Sequence, residues 1–269
     1  MTNINNDNKN LNIDFPQVIF IEGNIGSGKT TLCELLKKNN ILDSQVLFEP
    51  VKEWKETMDS NGVNILQHFY SDMQRNSYLF QSFAFISRTY VLDNIDQSKA
   101  VVFIERSCYS DRNIFASSCK ETGLLNEIEW ITYCKWFEWM ITKYDFIFDN
   151  ALYLYVDCTP EETFSRIKKR NRKEEDSISL DYIKSLDSKH RVWFDEIDKE
   201  KKIIIDGNVN FKEDSYELEK IFKQITDKYN TKKIKELEKY LNNDNLEYHF
   251  QKFKKNINLN SELNNNQLM

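Results

Sequence analysis

The sequence predicts an α/β fold in which a five-stranded parallel sheet is covered by helices on both faces. Three observations predict it. Five short, nearly continuous apolar runs punctuate the chain, at 17–21, 46–48, 101–104, 152–156 and 203–205. Longer stretches with apolar residues at helical spacing separate them. A glycine-rich turn stands between the first run and the helical pattern that follows it. Strands buried on both faces read as unbroken apolar runs rather than alternating ones, and parallel neighbours need crossovers long enough to hold a helix.

Composition sets the frame. The 269 residues suffice for one large core, predicted at 15–230, between an asparagine-rich, disordered tail at 1–14 and a low-complexity extension at 231–269 that opens with a helical pattern, 232–241. Lys and Arg number 37 against 43 Asp and Glu, so the chain is mildly acidic and is not built to wrap a nucleic-acid polymer. Cys33, Cys108, Cys119, Cys134 and Cys158 are scattered, with no C-x-x-C and only three histidines. Neither a zinc site nor a disulfide framework is expected, and a reducing, cytoplasmic setting fits best. No apolar stretch reaches the roughly 18 residues of a membrane span. The first sixteen residues contain no apolar core and no arginine, which leaves secretion and a mitochondrial presequence unsupported.

The first run leads into Gly23-Asn24-Ile25-Gly26-Ser27-Gly28-Lys29-Thr30, which fits G-x-x-x-x-G-K-[ST]. Glycines let backbone N–H groups turn inward around phosphates, Lys29 reaches the outer ones, and the Thr30 hydroxyl suits Mg²⁺. The helix from Thr31 adds the positive end of its dipole. The pattern alone does not say what receives a phosphoryl group. The second run is followed by Glu49-Pro50-Val51, which puts a carboxylate at the carboxyl end of a strand, on the same edge as the glycine turn. There Glu49 can accept the proton of an attacking hydroxyl. The stretch 63–97 carries no Gly or Pro and predicts two helices packed on the sheet. The third run ends in Glu105-Arg106-Ser107; Arg106 can neutralise charge on a transferring group and Glu105 can orient Mg²⁺ through water.

A helix is expected over 124–143, with Trp130, Trp136 and Trp139 serving the core or a subunit interface. Thr159-Pro160-Glu161-Glu162 has the composition of a helix start: a side-chain cap, Pro in the first turn and acids facing the dipole. That helix runs into the densest basic segment, 166–173, which by charge alone reads as a solvated helix end. The last run is followed by Asp206-Gly207-Asn208-Val209-Asn210-Phe211.

Together these residues resemble the deoxyribonucleoside kinase family, and within it the deoxyguanosine and deoxycytidine kinase branch. The resemblance spans most of residues 17–229 and rests on 23–31, Glu49-Pro50-Val51 with Trp54, Phe80-Gln81, the run 105–116 and the run 166–175. It implies a P-loop kinase with an arginine-rich lid, using ATP and Mg²⁺ and acting as a homodimer. It implies that Glu49 is the base on the 5′-hydroxyl, with Arg106 as its partner. Phe80 and Phe115 would sandwich the base, Trp54, Leu66 and Phe69 would line the pocket, and Tyr70 and Glu175 would hold the sugar 3′-hydroxyl. Gln81 would read the base, although its amide can flip and does not choose between bases by itself. Arg166, Arg170 and Arg172 would close over the ATP phosphates, where a planar guanidinium binds oxygens in pairs. Asp206, Asn210 and Phe211 would hold the adenine; Gly207 stands where the family has a bulkier residue.

Gln81, Ala84 and Arg88 are spaced i, i+3, i+7 and so share one helix face, and Asp111 can meet Arg88 across the pocket. An Ala, Arg, Asp set resembles the purine and cytosine branch rather than the thymidine-preferring members. The expectation is a purine preference with deoxyguanosine first; deoxyadenosine or deoxycytidine stays open. Two rivals are weaker. A thymidylate-type kinase needs cations for a monophosphate acceptor, which Glu49 would repel. A non-catalytic ATP binder has no use for Glu49, Arg106 and the lid arginines.

Overall fold

The structure, a computed structural model, describes residues 15–241. The sheet consists of β1 (Gln17–Glu22), β2 (Ser44–Leu47), β3 (Val101–Glu105), β4 (Leu152–Asp157) and β5 (Lys202–Asp206). All pairings are parallel and the order is β2-β3-β1-β4-β5. The central strands β1 and β3 are buried throughout, as their unbroken apolar character requires. β2 starts two residues ahead of its apolar run: Ser44 and Gln45 pair with Val101 and Val102. On a half-exposed edge strand a polar side chain costs little, so the run marked only the strand's second half.

Helices fill the connections: α1 (Lys29–Asn39), α2 (Val51–Glu56), α3 (Ile65–Ser71), α4 (Met73–Leu92), α5 (Cys108–Ser110), α6 (Ser117–Glu121), α7 (Glu127–Ile141), α8 (Asp145–Asn150), α9 (Pro160–Arg170), α10 (Leu180–Glu196) and α11 (Ser215–Leu241). The two helices expected over 63–97 are α3 and α4, and their boundaries are set by caps. Asn64 accepts from Gln67 N at 2.8 Å while the Gln67 side chain accepts from Asn64 N at 2.9 Å. Asp72 then ends α3 and caps α4 by accepting from Arg75 N. Thr159 caps α9 with Pro160 in its first turn. Between α5 and α6, residues Asp111–Ala116 form a π-helical turn.

The core joins Phe20, stacked on Phe148 and Tyr153, to Phe85, which meets Tyr133 and Phe137 of α7. Trp130 packs against this core, whereas Trp136 and Trp139 stand half exposed. The chain divides into two compact units, Met1–Phe222 and Lys223–Met269. The first contains the sheet, α1–α10 and the start of α11. The second, as far as it is described, is the rest of α11, where Lys232 and Lys233 both pair with Glu236. The boundary expected at 230 therefore falls inside a helix, and the tail at 1–14 and the segment after 241 lie outside the described residues. Among the described residues no helix is long and apolar enough to cross a membrane.

The register decides where chemistry collects. Ile21 lies beside Glu105 and Leu47 beside Ile104, so the segments leaving β1, β2 and β3 emerge on one edge. In open α/β sheets that carboxyl edge, where the strand order turns back, is where ligands bind.

Candidate active site

The loop after β1 is shaped by close approaches. A Cβ on Gly26 would lie 2.7 Å from the Thr163 carbonyl oxygen of α9, so only glycine fits there. Gly28, at φ 104°, caps α1 in a conformation that L side chains rarely adopt. Asn24 turns away from the loop's mouth and anchors it, donating to Ile183 O of α10 at 2.9 Å and accepting from Ile25 N. Lys29 is 5% exposed and donates to Gly23 O at 3.0 Å and Asn24 O at 2.6 Å. Burial, with Arg106 beside it, brings its pKa down to about 7.

Arg166 ties this loop to the segment after β5, donating to Ser27 O at 3.2 Å and Gly207 O at 2.8 Å. Gly207 is fixed by packing: a Cβ there would meet Val156 Cγ1 at 2.8 Å. The Phe211 ring comes within 3.1 Å of where a Cβ on Gly28 would stand. Asp206 accepts from Asn208 N and Nδ2, which holds the turn that Gly207 begins.

A cavity of about 440 Å³ opens in front of the loop. Thr30 donates to Glu105 Oε1 at 2.5 Å, so a hydroxyl and a carboxylate sit side by side at its mouth. Burial and the neighbouring Glu49 raise the pKa of Glu105, as for a carboxylate placed where a cation would lower its energy. Glu49 is paired with Arg88, and its Oε1 lies 3.3 Å from Arg106 Nε. Burial would raise its pKa, but Arg88 and Arg106 outweigh burial and hold it at about 2. Arg106 itself has φ 65°, a strained backbone for a residue with a Cβ. Two hydrogen bonds hold that turn, Arg106 N to Ile21 O at 3.0 Å and Ser107 N to the buried Glu22 at 2.7 Å. The guanidinium lies over the Phe115 ring.

Deeper in, Phe69 stacks on Phe80 with centroids 4.6 Å apart, Trp54 meets Phe80 edge-on, and Leu66 completes the wall. Gln81, Ala84 and Arg88 face the cavity from α4, as their spacing predicts. Arg88 lies over Trp54 and is shared between Asp111 and Glu49, so Asp111, fully buried on the π-helical turn, meets it from the far side. At the opposite end Arg170 Nη2 contacts both oxygens of Glu175, at 2.8 and 2.7 Å, and Arg172 reaches it at 3.4 Å. Burial, then Glu175 and Glu49, push the pKa of Tyr70 up and keep its phenol a donor.

The structure thus gathers Ile25, Gly26, Gly28, Lys29, Thr30 and Thr31 with Glu49, Glu105, Arg106, the aromatic wall and Arg166, Arg170 and Arg172 around one cavity. Gly23, Asn24, Ser27 and Phe211 shape or flank the loop without lining the cavity, while Asp206 at the end of β5 and Asn210 in the segment after it do not line it either. Phe48, Val51 and Tyr182 line it and were given no site role from the sequence, although Val51 stands in the quoted Glu49-Pro50-Val51. Val51 directly follows Glu49-Pro50 and could have been read from that position. No spacing links Tyr182 on α10 to the rest.

The chain also resembles known proteins. A family model described as deoxynucleoside kinase matches residues 19–231. The chain is 37% identical over 226 residues to deoxycytidine kinase of Homo sapiens, covering 74% of this chain and 86% of that protein. It is 34% identical over 234 residues to deoxycytidine kinase 2 of Gallus gallus, with 77% and 88% covered. It is 35% identical over 191 residues to the mitochondrial deoxyguanosine kinase of Xenopus laevis, with 64% and 71% covered.

Proposed function

We propose, from the premise that this chain belongs to the deoxynucleoside kinase family, that it transfers the γ-phosphoryl group of ATP to the 5′-hydroxyl of a deoxynucleoside, with deoxyguanosine preferred. The observation that carries the reading is Glu49: a carboxylate held ionised by two arginines, in the same cavity as a glycine loop shaped for phosphates. Its low pKa makes it a weak base. Phosphoryl transfer through a loose transition state asks mainly for positioning, so Glu49 orients the hydroxyl and takes its proton late in transfer. Arg106 then faces the charge gathering on the transferred group.

Backbone N–H groups of Gly26–Thr30, Lys29 and the lid arginines Arg166, Arg170 and Arg172 would hold the triphosphate, and Phe211, with Asp206 and Asn210 in the same segment, would flank the adenine. Thr30 with its hydroxyl and Glu105 with its carboxylate, side by side at the cavity mouth, are the residues that would hold Mg²⁺. The ion would supply charge neutralisation between the outer phosphates. The aromatic wall takes the base, Arg88 with Asp111 presents polar groups to its edge, and Tyr70 with Glu175 holds the sugar 3′-hydroxyl.

Deoxycytidine is a second reading of the acceptor. It is favoured by the names of the relatives above and by the close Phe69–Phe80 stack, which narrows the wall. Initial rates of ATP-dependent phosphorylation with deoxyguanosine, deoxyadenosine, deoxycytidine and thymidine, with Mg²⁺ present, decide between them. A thymidine preference would sink both, and no product with any of the four would sink the kinase reading.

Association of two copies through α4 and α7 is part of the proposal. Leu79, Ile86 and Tyr90 on α4 and Ile128, Ile131, Trp136 and Trp139 on α7 are exposed apolar groups on two helices packed against each other.

A further inference from the structure

We propose that Glu22, the last residue of β1, is a positioning residue: its carboxylate holds the left-handed turn that aims the Arg106 guanidinium at the transferring phosphoryl group. The inference rests on reading Arg106 as the residue that faces that charge, and it deepens that reading.

β3 ends at Glu105, paired with Ile21, and the backbone N–H of Arg106 continues the ladder by donating to Ile21 O at 3.0 Å. One residue later the ladder stops. Arg106 takes φ 65°, and Ser107 N donates to Glu22 Oε1 at 2.7 Å, so a side chain of β1 stands in for the next backbone acceptor. Ser107 is 1% exposed, and without that oxygen its N–H would be a buried donor with no water to turn to. A residue with a Cβ keeps a left-handed backbone only where its surroundings over-determine it. The two bonds flanking Arg106, to Ile21 O and to Glu22, do so here.

The side chain shows what the turn achieves. Consecutive residues of an extended strand face opposite sides, yet Glu105 and Arg106 both line the cavity. The turn places Arg106 Nε 3.3 Å from Glu49 Oε1 and its guanidinium over the Phe115 ring. An extended backbone at Arg106 would redirect its Cα–Cβ bond and undo both contacts. Glu22 is fully buried, and its other oxygen has no hydrogen-bond partner. Burial pushes its carboxyl up, and Arg106 is the charge that most opposes this. A buried carboxyl with one hydrogen bond fills a core poorly, since an apolar side chain packs there at lower cost. The turn explains its place.

The test compares Glu22→Gln, which keeps an acceptor for Ser107 N, with Glu22→Met, which fills the same space without one, in the full chain. With ATP, Mg²⁺ and a deoxynucleoside, Glu22→Met should lower kcat roughly 10- to 100-fold, the scale of a misplacement by about 1 Å. Calorimetric Kd for the nucleoside should stay nearly unchanged, and Glu22→Gln should restore most of the loss. In an Arg106→Ala background Glu22→Met should cost little more, because the group it acts through is gone. Nitrogen–proton NMR without substrates reads the Arg106 Nε–H directly, identified by its absence in Arg106→Ala. That signal should be present in wild type and Glu22→Gln and lost to fast exchange in Glu22→Met. A normal kcat or a normal Nε–H signal in folded Glu22→Met overturns the inference, even where the melting temperature falls, which marks a residue of the fold alone. So does a kcat loss that multiplies with that of Arg106→Ala. If Glu22→Met fails to fold, Glu22→Asp decides: it keeps the charge but draws the oxygen back by one methylene, and wild-type kcat and signal there overturn the inference. No product from wild type would sink the kinase reading, while the Nε–H signals still judge Glu22.

Discussion

Glu49 shows how neighbouring charges set one another. Its folded pKa of about 2 lies below the ordinary 4.5, so its pairing contributes stability that is present above about pH 4.5 and lost as pH falls through 2. For turnover this means an ionised carboxylate throughout the working range. kcat/KM should show no acidic limb from this group between about pH 5 and 8, and Arg88→Met should bring one upward into view; a wild-type limb near neutrality would contradict the pairing. Glu49→Gln should lower kcat by roughly 10²- to 10⁴-fold with a small change in nucleoside affinity, measured by calorimetry. Lys29 has the opposite economy. Its folded pKa of about 7 against 10.5 means the fold disfavours its charge, a penalty complete below pH 7 and gone above about 10.5. Lys29→Met should therefore abolish turnover and raise the melting temperature below pH 7. Replacing Arg88 by Met together with Asp111 by Ala should move relative rates toward thymidine. Glu49, Lys29 and the Arg88–Asp111 pair were legible because strand ends and helical spacing place them. The left-handed Arg106 and the Glu22 carboxylate that holds its turn were not, because each depends on partners distant in sequence.

At the scale of elements, α9 combines two jobs. Its Thr163 carbonyl crowds Gly26, and its C-terminal end carries Arg170 toward Glu175. Gly26→Ala should destabilise the fold by about 1–3 kcal/mol in denaturant titration, since the added methyl meets backbone rather than a yielding side chain. Arg172→Ala should lower turnover far more than nucleoside binding; equal turnover would remove it from the lid's chemistry. The helix start at Thr159 was legible because capping is local chemistry; the same chemistry at Asn64 was not singled out from the sequence. The π-helical turn at Asp111–Ala116 could not, since one extra residue per turn leaves no mark in apolar spacing. The basic run illustrates the same limit: its charges were plain, but their attachment to Glu175 depends on a turn at 173–175.

For the whole molecule, the five strands were visible one by one, while their order was not, because pairing between runs depends on contacts that no local pattern encodes. The exposed tryptophans make a prediction at this scale. Wild type should sediment as a dimer, and Trp136→Glu with Trp139→Glu should shift it to half that mass while leaving the melting temperature of the fold nearly unchanged, because both rings are already half in water. The sheet order has a consequence in time. β1 is synthesised first, yet its two neighbours are β3 and β4, which begin at residues 101 and 152. As the chain leaves the ribosome, the strand that carries the phosphate loop has no partner until β3 emerges, and the centre of the sheet closes only when β4 follows. Nascent chains stopped before β3 should therefore fail to protect the loop from protease when ATP is added, and protection should begin once β4 has been released.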